Sequence, residues 1–169
     1  MVGARVGIEI GSVELSMDDL ATRVAQEFVA ELTEVSIQEP DTIVARLERS
    51  TLREVARRLH DLPEIAYDSL NWIAAVDYGT NLESVYHLYS YATNTYLELH
   101  VEVPRAKATI ETVCDIWPAA DWHEREAWDM MGIRYEGHPD LRRILLKDDW
   151  IGHPLRKDYV DLAENHPNV

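Results

Sequence analysis

The stretch Thr95–Val103, TYLELHVEV, alternates strictly between apolar and polar side chains. Every second residue from Leu97 to Val103 is apolar, and the alternate positions hold Tyr96, Glu98, His100 and Glu102. A period of two residues is typical of a β-strand that buries one face and leaves the other near solvent. The segment therefore predicts a strand in a sheet that is covered on one side.

Two further strands are predicted upstream of this one, at Ile65–Tyr78 and Ser84–Tyr91. The turns between the three strands fall at Gly79-Thr80-Asn81 and Ala92-Thr93-Asn94, because glycine and asparagine tolerate turn conformations.

The N-terminal half predicts two helices and two short strands. Ser16 is placed to cap a first helix with apolar residues near every fourth position, and Ser50 is placed to cap a second. Between them, Glu34–Gln38 and Thr42–Leu47 indicate strands around a turn at residues 39–41. The order helix, two strands, helix, three strands predicts a two-layer α+β domain with the helices on one face of the sheet.

The sequence after the third of these strands changes character. We expect a short helix over Ala108–Cys114 and a helix over Trp122–Met131 that ends at Gly132. Asp121 is the expected N-cap, with Glu124 three residues later as a capping-box partner. Arg125 and Asp129 are four residues apart and are expected to pair along the helix.

From Ile133 to Val160 neither helical nor strand periodicity persists, and each of two Gly-His-Pro triplets is followed by a basic pair. The segment is too apolar to stay solvated, so it is expected to order against a partner or to fold back over its own sheet. The predicted organisation is an N-terminal extension (1–15), an α+β domain (16–131) and an extended partner-binding arm (132–169).

Composition excludes several classes of protein. The net charge of −15, from 31 acidic and 16 basic residues, argues against nucleic-acid binding. No apolar run approaches the roughly 18 residues of a membrane span, and the first residues resemble no targeting signal, so we expect the chain to stay where it is made. Cys114 is the single cysteine, and we expect an inert, buried thiol there.

An independent enzyme and a stand-alone acidic adaptor remain alternatives. Asp121, His123, Glu124 and Glu126 offer acid–base groups, but residues 124 and 126 point about 200° apart on a helix. No zinc-protease spacing, glycine-rich dinucleotide loop or phosphate loop is present. His138 and His153 are expected to be structural turn histidines, with metal ligation as the alternative.

The same C-terminal residues resemble the signature of the complex I 30-kDa subunit family, which includes the 30-kDa (C) subunit of NADH-quinone oxidoreductase. The resemblance is carried by Glu124-Arg125-Glu126, Asp129-Met130-Met131, His138, Arg142–Leu145, Asp148-Asp149-Trp150 and Gly152–Tyr159. Upstream, Ala75–Tyr78 and Val85–Leu88 resemble family segments too. Val160 stands where the family commonly has proline.

This resemblance implies a cofactor-free structural subunit in the peripheral arm of a proton-translocating complex. NADH or another donor, flavin, iron–sulfur clusters and quinone would belong to other subunits. The chain would brace the 49-kDa (D) subunit near the quinone site, with cluster-bearing subunits as further neighbours. It would lie peripherally at the cytoplasmic face of the cell membrane, or the equivalent organelle face, and reach the membrane only through the complex.

The expected partner-binding and structural residues come from these motifs, with no catalytic, cofactor or metal residue among them. They are Glu124, Arg125, Glu126, Asp129, His138, Arg142, Arg143, Trp150, His153, Arg156, Lys157, Asp158 and Tyr159. Arg142, Arg143, Arg156 and Lys157 are expected to contact acidic groups on the neighbour, with Trp150 and Tyr159 as apolar anchors. The resemblance also admits the equivalent subunit of a membrane-bound hydrogenase, a formate hydrogenlyase-type complex or a deazaflavin-dependent dehydrogenase.

Overall fold

The computed structural model describes residues 16–38 and 40–161. The expected N-terminal extension (1–15), Glu39 of the expected first turn and the last part of the expected arm (162–169) lie outside the described residues. Within the described part, the chain forms helices α1 (Met17–Glu27), α2 (Leu52–Asp61) and α3 (Ala120–Met131). The strands are β1 (Leu32–Gln38), β2 (Thr42–Leu47), β3 (Ser69–Asp77), β4 (Asn81–Ser90), β5 (Thr95–Pro104), β6 (Thr109–Glu111) and β7 (Arg134–Glu136). The predicted α+β class is confirmed.

The main sheet has five strands in the order β1-β2-β5-β4-β3. Antiparallel pairing joins β1 to β2, and β3, β4 and β5 form an antiparallel meander. The two halves meet where β2 runs parallel to β5, in the register Ala45↔Leu99. Strand β5, predicted from Thr95–Val103, therefore lies at the centre of the sheet, where it joins two parts of the chain that are distant in sequence.

One face of this sheet forms the core. Leu97, Leu99, Val101 and Val103 of β5 are fully buried together with Tyr86 of β4. All three helices contribute to the same hydrophobic cluster, through Leu20 and Val24, Leu52, Val55 and Leu59, and Ala120 and Ala127. The prediction that the helices cover one face is thus confirmed. Ser16 caps α1 as predicted, because its hydroxyl accepts a hydrogen bond from the Asp19 amide at 3.1 Å.

The expected short helix at Ala108–Cys114 is wrong. Thr109–Glu111 forms β6, which pairs in parallel with β7 through Ile110 and Tyr135. Threonine, isoleucine and valine dominate this stretch, and β-branched side chains favour strands over helices. Consequently Ile133 and Tyr135, at the start of the expected arm, are core residues.

The predicted caps of α2 and α3 are also wrong. Helix α2 begins one residue later than expected, after Thr51, whose hydroxyl donates to the Glu48 carbonyl instead of capping the helix. Helix α3 begins at Ala120, so Asp121 lies in its first turn and is not the N-cap. The α3 capping box does not form because Glu124 points into the core. Gly132 does end α3 in a left-handed conformation, at φ 74°, as predicted.

The opposite, outer face of the sheet carries rings and charges. Trp72 stacks on His87 across β3 and β4, and the aromatic row continues through Tyr96 and Tyr89 to Tyr91. The three helices pack on the other side, so none of them covers this row. Among the described residues, no helix has the length and apolar character needed to cross a membrane.

Candidate functional site

Helix α3 and the segment after it hold most of the residues singled out from the sequence. The side chains of Glu124 and Asp129 are both fully buried, on one helix, and each contacts a different part of the chain. These two carboxylates organise the site.

Glu124 faces the segment between β6 and α3. It accepts a hydrogen bond from the Val113 amide at 2.8 Å and another from the Thr112 hydroxyl. Burial raises the pKa of Glu124 to about 7, and the nearby charges of Asp121 and Asp115 act in the same direction, against the two hydrogen bonds that lower it. The group is therefore poised between its neutral and charged forms near neutral pH.

Cys114, Glu124 and His138 place one ligand atom each within 4.8 Å of one another. The His138 ring is already engaged: Nδ1 accepts from the Asp140 amide at 3.0 Å, and Nε2 lies 3.2 Å from the Asp121 carbonyl. Burial raises the pKa of the Cys114 thiol. Through these hydrogen bonds His138 acts as a turn histidine that links α3 to the loop after β7.

Asp129 is the centre of the second cluster. Its Oδ2 accepts hydrogen bonds from three successive amides, those of Ile144, Leu145 and Leu146, at 2.9–3.0 Å. Its Oδ1 accepts a charge-assisted bond from Arg143 at 2.5 Å. This carboxylate therefore shapes the backbone of residues 144–146 into a tight bend.

Arg143 connects further parts of the irregular segment to Asp129. Its guanidinium also donates to the Trp150 carbonyl at 2.7 Å and the Gly152 carbonyl at 3.1 Å. These contacts of Arg143 lie within the chain, and its expected contact with a neighbour stays a prediction. The expected Arg125–Asp129 pair is wrong, because Arg143 holds Asp129.

Arg125 instead points along the irregular segment. It donates to the carbonyls of Arg142 at 3.3 Å and Arg143 at 3.4 Å, and its guanidinium lies 5.1 Å from the Trp122 ring centroid. Its carboxylate neighbour is Asp121, four residues earlier, at 3.8 Å. Glu126 lies on the exposed side of α3.

The second Gly-His-Pro triplet crosses the end of α3. His153 Nδ1 lies 3.0 Å from the Asp129 carbonyl, and the Leu155 amide donates to the Met130 carbonyl at 3.1 Å. These contacts satisfy carbonyls that the helix end leaves without partners. The ring of His153 packs so tightly on Gly132 that a Cβ there would lie 2.6 Å from it.

The last described part of the segment is fastened to the far end of the sheet. The Lys157 amide donates to Asp77 at 2.8 Å, and Asp77 also pairs with Arg105. Asp158 lies 2.8 Å from Arg105 and also accepts from Arg156. Tyr159 packs against Gly152. The described irregular segment therefore lies on its own domain, with its charged motif residues mostly engaged within the chain.

Thr112, Asp77 and Arg105 were missed as site residues from the sequence. A local signal existed for Asp77, because an Asp two residues before a glycine favours an Asx turn. In this turn Asp77 Oδ1 accepts a hydrogen bond from the Gly79 amide at 2.7 Å. No local pattern indicates Thr112 or Arg105, whose partners lie 12 and 28 residues away.

The irregular segment presents apolar side chains to solvent even though its backbone is held in place. Leu145 is 63% exposed, Ile151 56%, Leu155 63% and Val160 64%. Trp150, by contrast, is half-buried. We call residues 138–160 the arm and these four side chains the aliphatic row.

Comparisons with known proteins agree with the family resemblance. Residues 45–165 match the family described as "Respiratory-chain NADH dehydrogenase, 30 Kd subunit". The NADH-quinone oxidoreductase C subunit of Herpetosiphon aurantiacus is 41% identical over 158 residues, which cover 89% of this chain and 92% of the relative. That of Geotalea uraniireducens is 48% identical over 99 residues, which cover 57% of this chain and 60% of the relative.

Two solved structures share the fold. A chain of the membrane-bound sulfane sulfur reductase, an archaeal respiratory membrane complex, has a TM-score of 0.75 at 24% identity over 89% of each chain. The trypsin-resistant fragment (1-134) of Nqo5 has a TM-score of 0.59 at 23% identity, over 74% of this chain and 98% of the fragment. Because the family match spans residues 45–165 and a 41% identical relative aligns along most of both sequences, the chain belongs to the respiratory-chain NADH dehydrogenase 30-kDa subunit family.

Proposed function

We propose that the chain is a structural subunit in the peripheral arm of a proton-translocating NADH-quinone oxidoreductase, where it braces the 49-kDa (D) subunit near the quinone site. The aliphatic row carries this proposal. An arm whose backbone is fixed while its aliphatic side chains point outward is a preformed docking surface, because ordering it on binding requires little further loss of entropy.

The contacts of the arm support this proposal, because one set of residues fixes its shape and another set faces outward. Asp129, Arg143 and His153 hold the arm from the inside, so they determine its shape. The exposed Leu145, Ile151 and Leu155 are then available to bury apolar area against a neighbour. Arg142 and Lys157 lie on the exposed side of the arm, where they can meet acidic groups of the partner.

We also propose that this chain supplies no redox cofactor, and that other subunits hold the NADH, flavin, iron–sulfur clusters and quinone of the parent complex. A single cysteine supports this, since an iron–sulfur cluster is usually held by several thiolates. The relatives from NADH-quinone oxidoreductases favour NADH as the electron donor over the donors of related hydrogenase and deazaflavin-dependent complexes.

The proposed position is peripheral, at the cytoplasmic face of the cell membrane or the equivalent organelle face. The chain would be held there through the complex.

The proposal is tested by purifying a tagged chain from its native membranes and identifying the co-purifying proteins by mass spectrometry. We expect a 49-kDa-type subunit with cluster-bearing partners, and the input subunits would identify the donor. Recovery of the chain alone, soluble and monodisperse, would overturn the proposal and reopen the enzyme and adaptor alternatives.

A matched pair of variants tests the aliphatic row itself. Leu155→Ser should reduce recovery of the 49-kDa-type subunit, whereas Val29→Ser, at a residue 76% exposed after α1, should not. Equal recovery of the 49-kDa-type subunit with both variants would show that the arm is not part of the interface.

A further inference from the structure

The outer face of the sheet carries a continuous row of rings, which we call the aromatic strip: Trp72, His87, Tyr96, Tyr89 and Tyr91. Trp72 and His87 stack with centroids 4.7 Å apart, and the next three contacts have centroids 4.9–5.0 Å apart. The strip spans β3, β4 and β5, which are adjacent in the sheet, and ends at Tyr91 in the turn after β4. Its rings therefore hold one another in fixed positions on a rigid support.

The described elements leave this strip partly exposed. The helices bury the opposite face of the sheet, and the aliphatic row lies on the arm rather than on the strip. Trp72 remains 36% exposed and Tyr91 69% exposed. Aromatic side chains dominate the energetics of protein interfaces, because they bury a large area with little loss of side-chain freedom.

The charges on this face of the sheet are predominantly negative. Strand register places Glu98 opposite His87, beside the strip, whereas Glu34, the buried Glu83 and Glu102 lie on the same face further from the rings, towards Arg46. Arg46 is bound by Glu83 at 2.6 Å and Glu34 at 3.4 Å, so its charge is already compensated. His100 contacts Glu83 and Glu98.

The His87 ring does not add a compensating positive charge. Burial lowers the pKa of His87, against the opposing effects of Glu98 and Asp41, so the ring is mainly neutral at pH 7. A neutral ring stacked between Trp72 and Tyr96 adds no positive charge beside Glu98.

We propose that the aromatic strip and the neighbouring Glu98 form a second docking surface, independent of the arm, for an arginine- or lysine-bearing segment of a neighbouring subunit. Guanidinium and ammonium groups are attracted to aromatic faces, and arginine also stacks on them. The Glu98 carboxylate beside the rings complements the same charge and selects against acidic segments. The combination fits a cationic segment better than an aliphatic one, which would cover Glu98 without bringing a positive charge to it.

The experiment is photo-crosslinking in native membranes, with a benzophenone amino acid placed at Tyr91 of the full-length chain. We expect an adduct whose crosslinked peptide comes from another subunit and contains arginine or lysine at the contact. An adduct with an acidic or purely apolar segment, with a second copy of the chain or with its own residues 1–15 overturns the proposal, as does the absence of an adduct. The same label at Leu155 reports on the arm separately, so failure of one surface is distinguishable from failure of the other.

Variants measure the chemistry of the contact. Trp72→Ala and Glu98→Gln should each lower the yield of the Tyr91 adduct by about threefold or more, and added salt should lower it further. Val29→Ala provides an exposed control away from the strip, and circular dichroism of each purified variant checks folding. Unchanged yield in folded Trp72→Ala and Glu98→Gln would contradict the proposed recognition.

Discussion

Four hydrogen bonds converge on the carboxylate of Asp129, three from the amides of residues 144–146 and one from Arg143. Burial by itself raises the pKa of Asp129, but the donors outweigh it and the pKa is lowered. One buried charge thereby orders a segment that has no helix or strand of its own. Residues 144–146 would otherwise have three amides turned inward without partners.

Replacing Asp129 by alanine should therefore destabilise the chain by about 3 kcal/mol or more, because it leaves Arg143 and three amides without their acceptor. The measurement is urea unfolding at pH 7. Asp140→Ala removes an exposed ion pair with Arg142 and serves as the control, with an expected change below about 1 kcal/mol. Similar losses in the two variants would contradict the central role of Asp129.

The lowered pKa of Asp129 also fixes the sign of its pH dependence. Its contribution is complete above the ordinary aspartate pKa of 3.8 and is lost as the pH falls below it.

The contribution of Glu124 to stability depends on pH with the opposite sign to that of Asp129. Because its pKa is about 7 in the folded chain against an ordinary 4.5, the folded state binds a proton that the unfolded state has released between these values. Stability should fall across this range as the pH rises, by about 3 kcal/mol in total. Glu124→Gln removes the titration and should flatten this dependence.

The measurement is urea unfolding of the native chain and Glu124→Gln at pH 5, 6, 7 and 8. The free energy of unfolding of the variant, relative to that of the native chain, should increase as the pH rises. Glu126→Gln, on the exposed side of α3, is the control and should follow the native chain. A pH-independent difference for Glu124→Gln would show that Glu124 does not titrate in this range.

At the scale of elements, the end of α3 and the arm are fitted to each other. Gly132 ends the helix with a positive φ and leaves room for the His153 ring, which lies against the helix end and bonds the Asp129 carbonyl. Any side chain at position 132 would both strain the backbone and displace the arm.

Gly132→Ala should accordingly lower stability by more than backbone strain alone, which is about 1–2 kcal/mol. Gly79→Ala is the matched control, since φ is also positive there and a Cβ would meet nothing within 4 Å. The measurements are urea unfolding and the rate of trypsin cleavage after Arg156 and Lys157. Faster cleavage in Gly132→Ala than in Gly79→Ala is expected; equal rates would contradict the steric contact.

At the scale of the whole molecule, the net negative charge is unevenly divided along the sequence. Residues 121–160 hold nine acidic and seven basic residues, so most of the net charge of −15 belongs to the rest of the chain. The aliphatic row therefore lies on a surface with little net repulsion, whereas the aromatic strip lies on an acidic one.

The isolated chain should consequently self-associate through the aliphatic row at high concentration, because its partner no longer covers these side chains. Sedimentation velocity should show a concentration-dependent increase in mass. A variant with serine at Leu145, Ile151 and Leu155 should remain monomeric over the same range, with unchanged circular dichroism. Equal association of the native chain and the variant would place the contact elsewhere.

The sequence by itself determined those features that depend on near neighbours in the chain. The alternation of Thr95–Val103, the Ser16 cap and the Gly132 helix end are all set within a few residues, so local chemistry was sufficient. The family resemblance also lay in contiguous motifs. Local chemistry was misleading where a core competed for the same side chain, as when Glu124 turned inward to Thr112 instead of capping its helix.

Only the tertiary structure decided which residues meet across long separations. The parallel pairing of β2 with β5 joins residues more than fifty positions apart, and the Lys157 amide reaches Asp77 across 80 residues. The fold likewise brings the Arg143 guanidinium to Asp129, 14 residues earlier in the chain. Such contacts depend on how buried charges find partners once the core has formed, and no local sequence period encodes that choice.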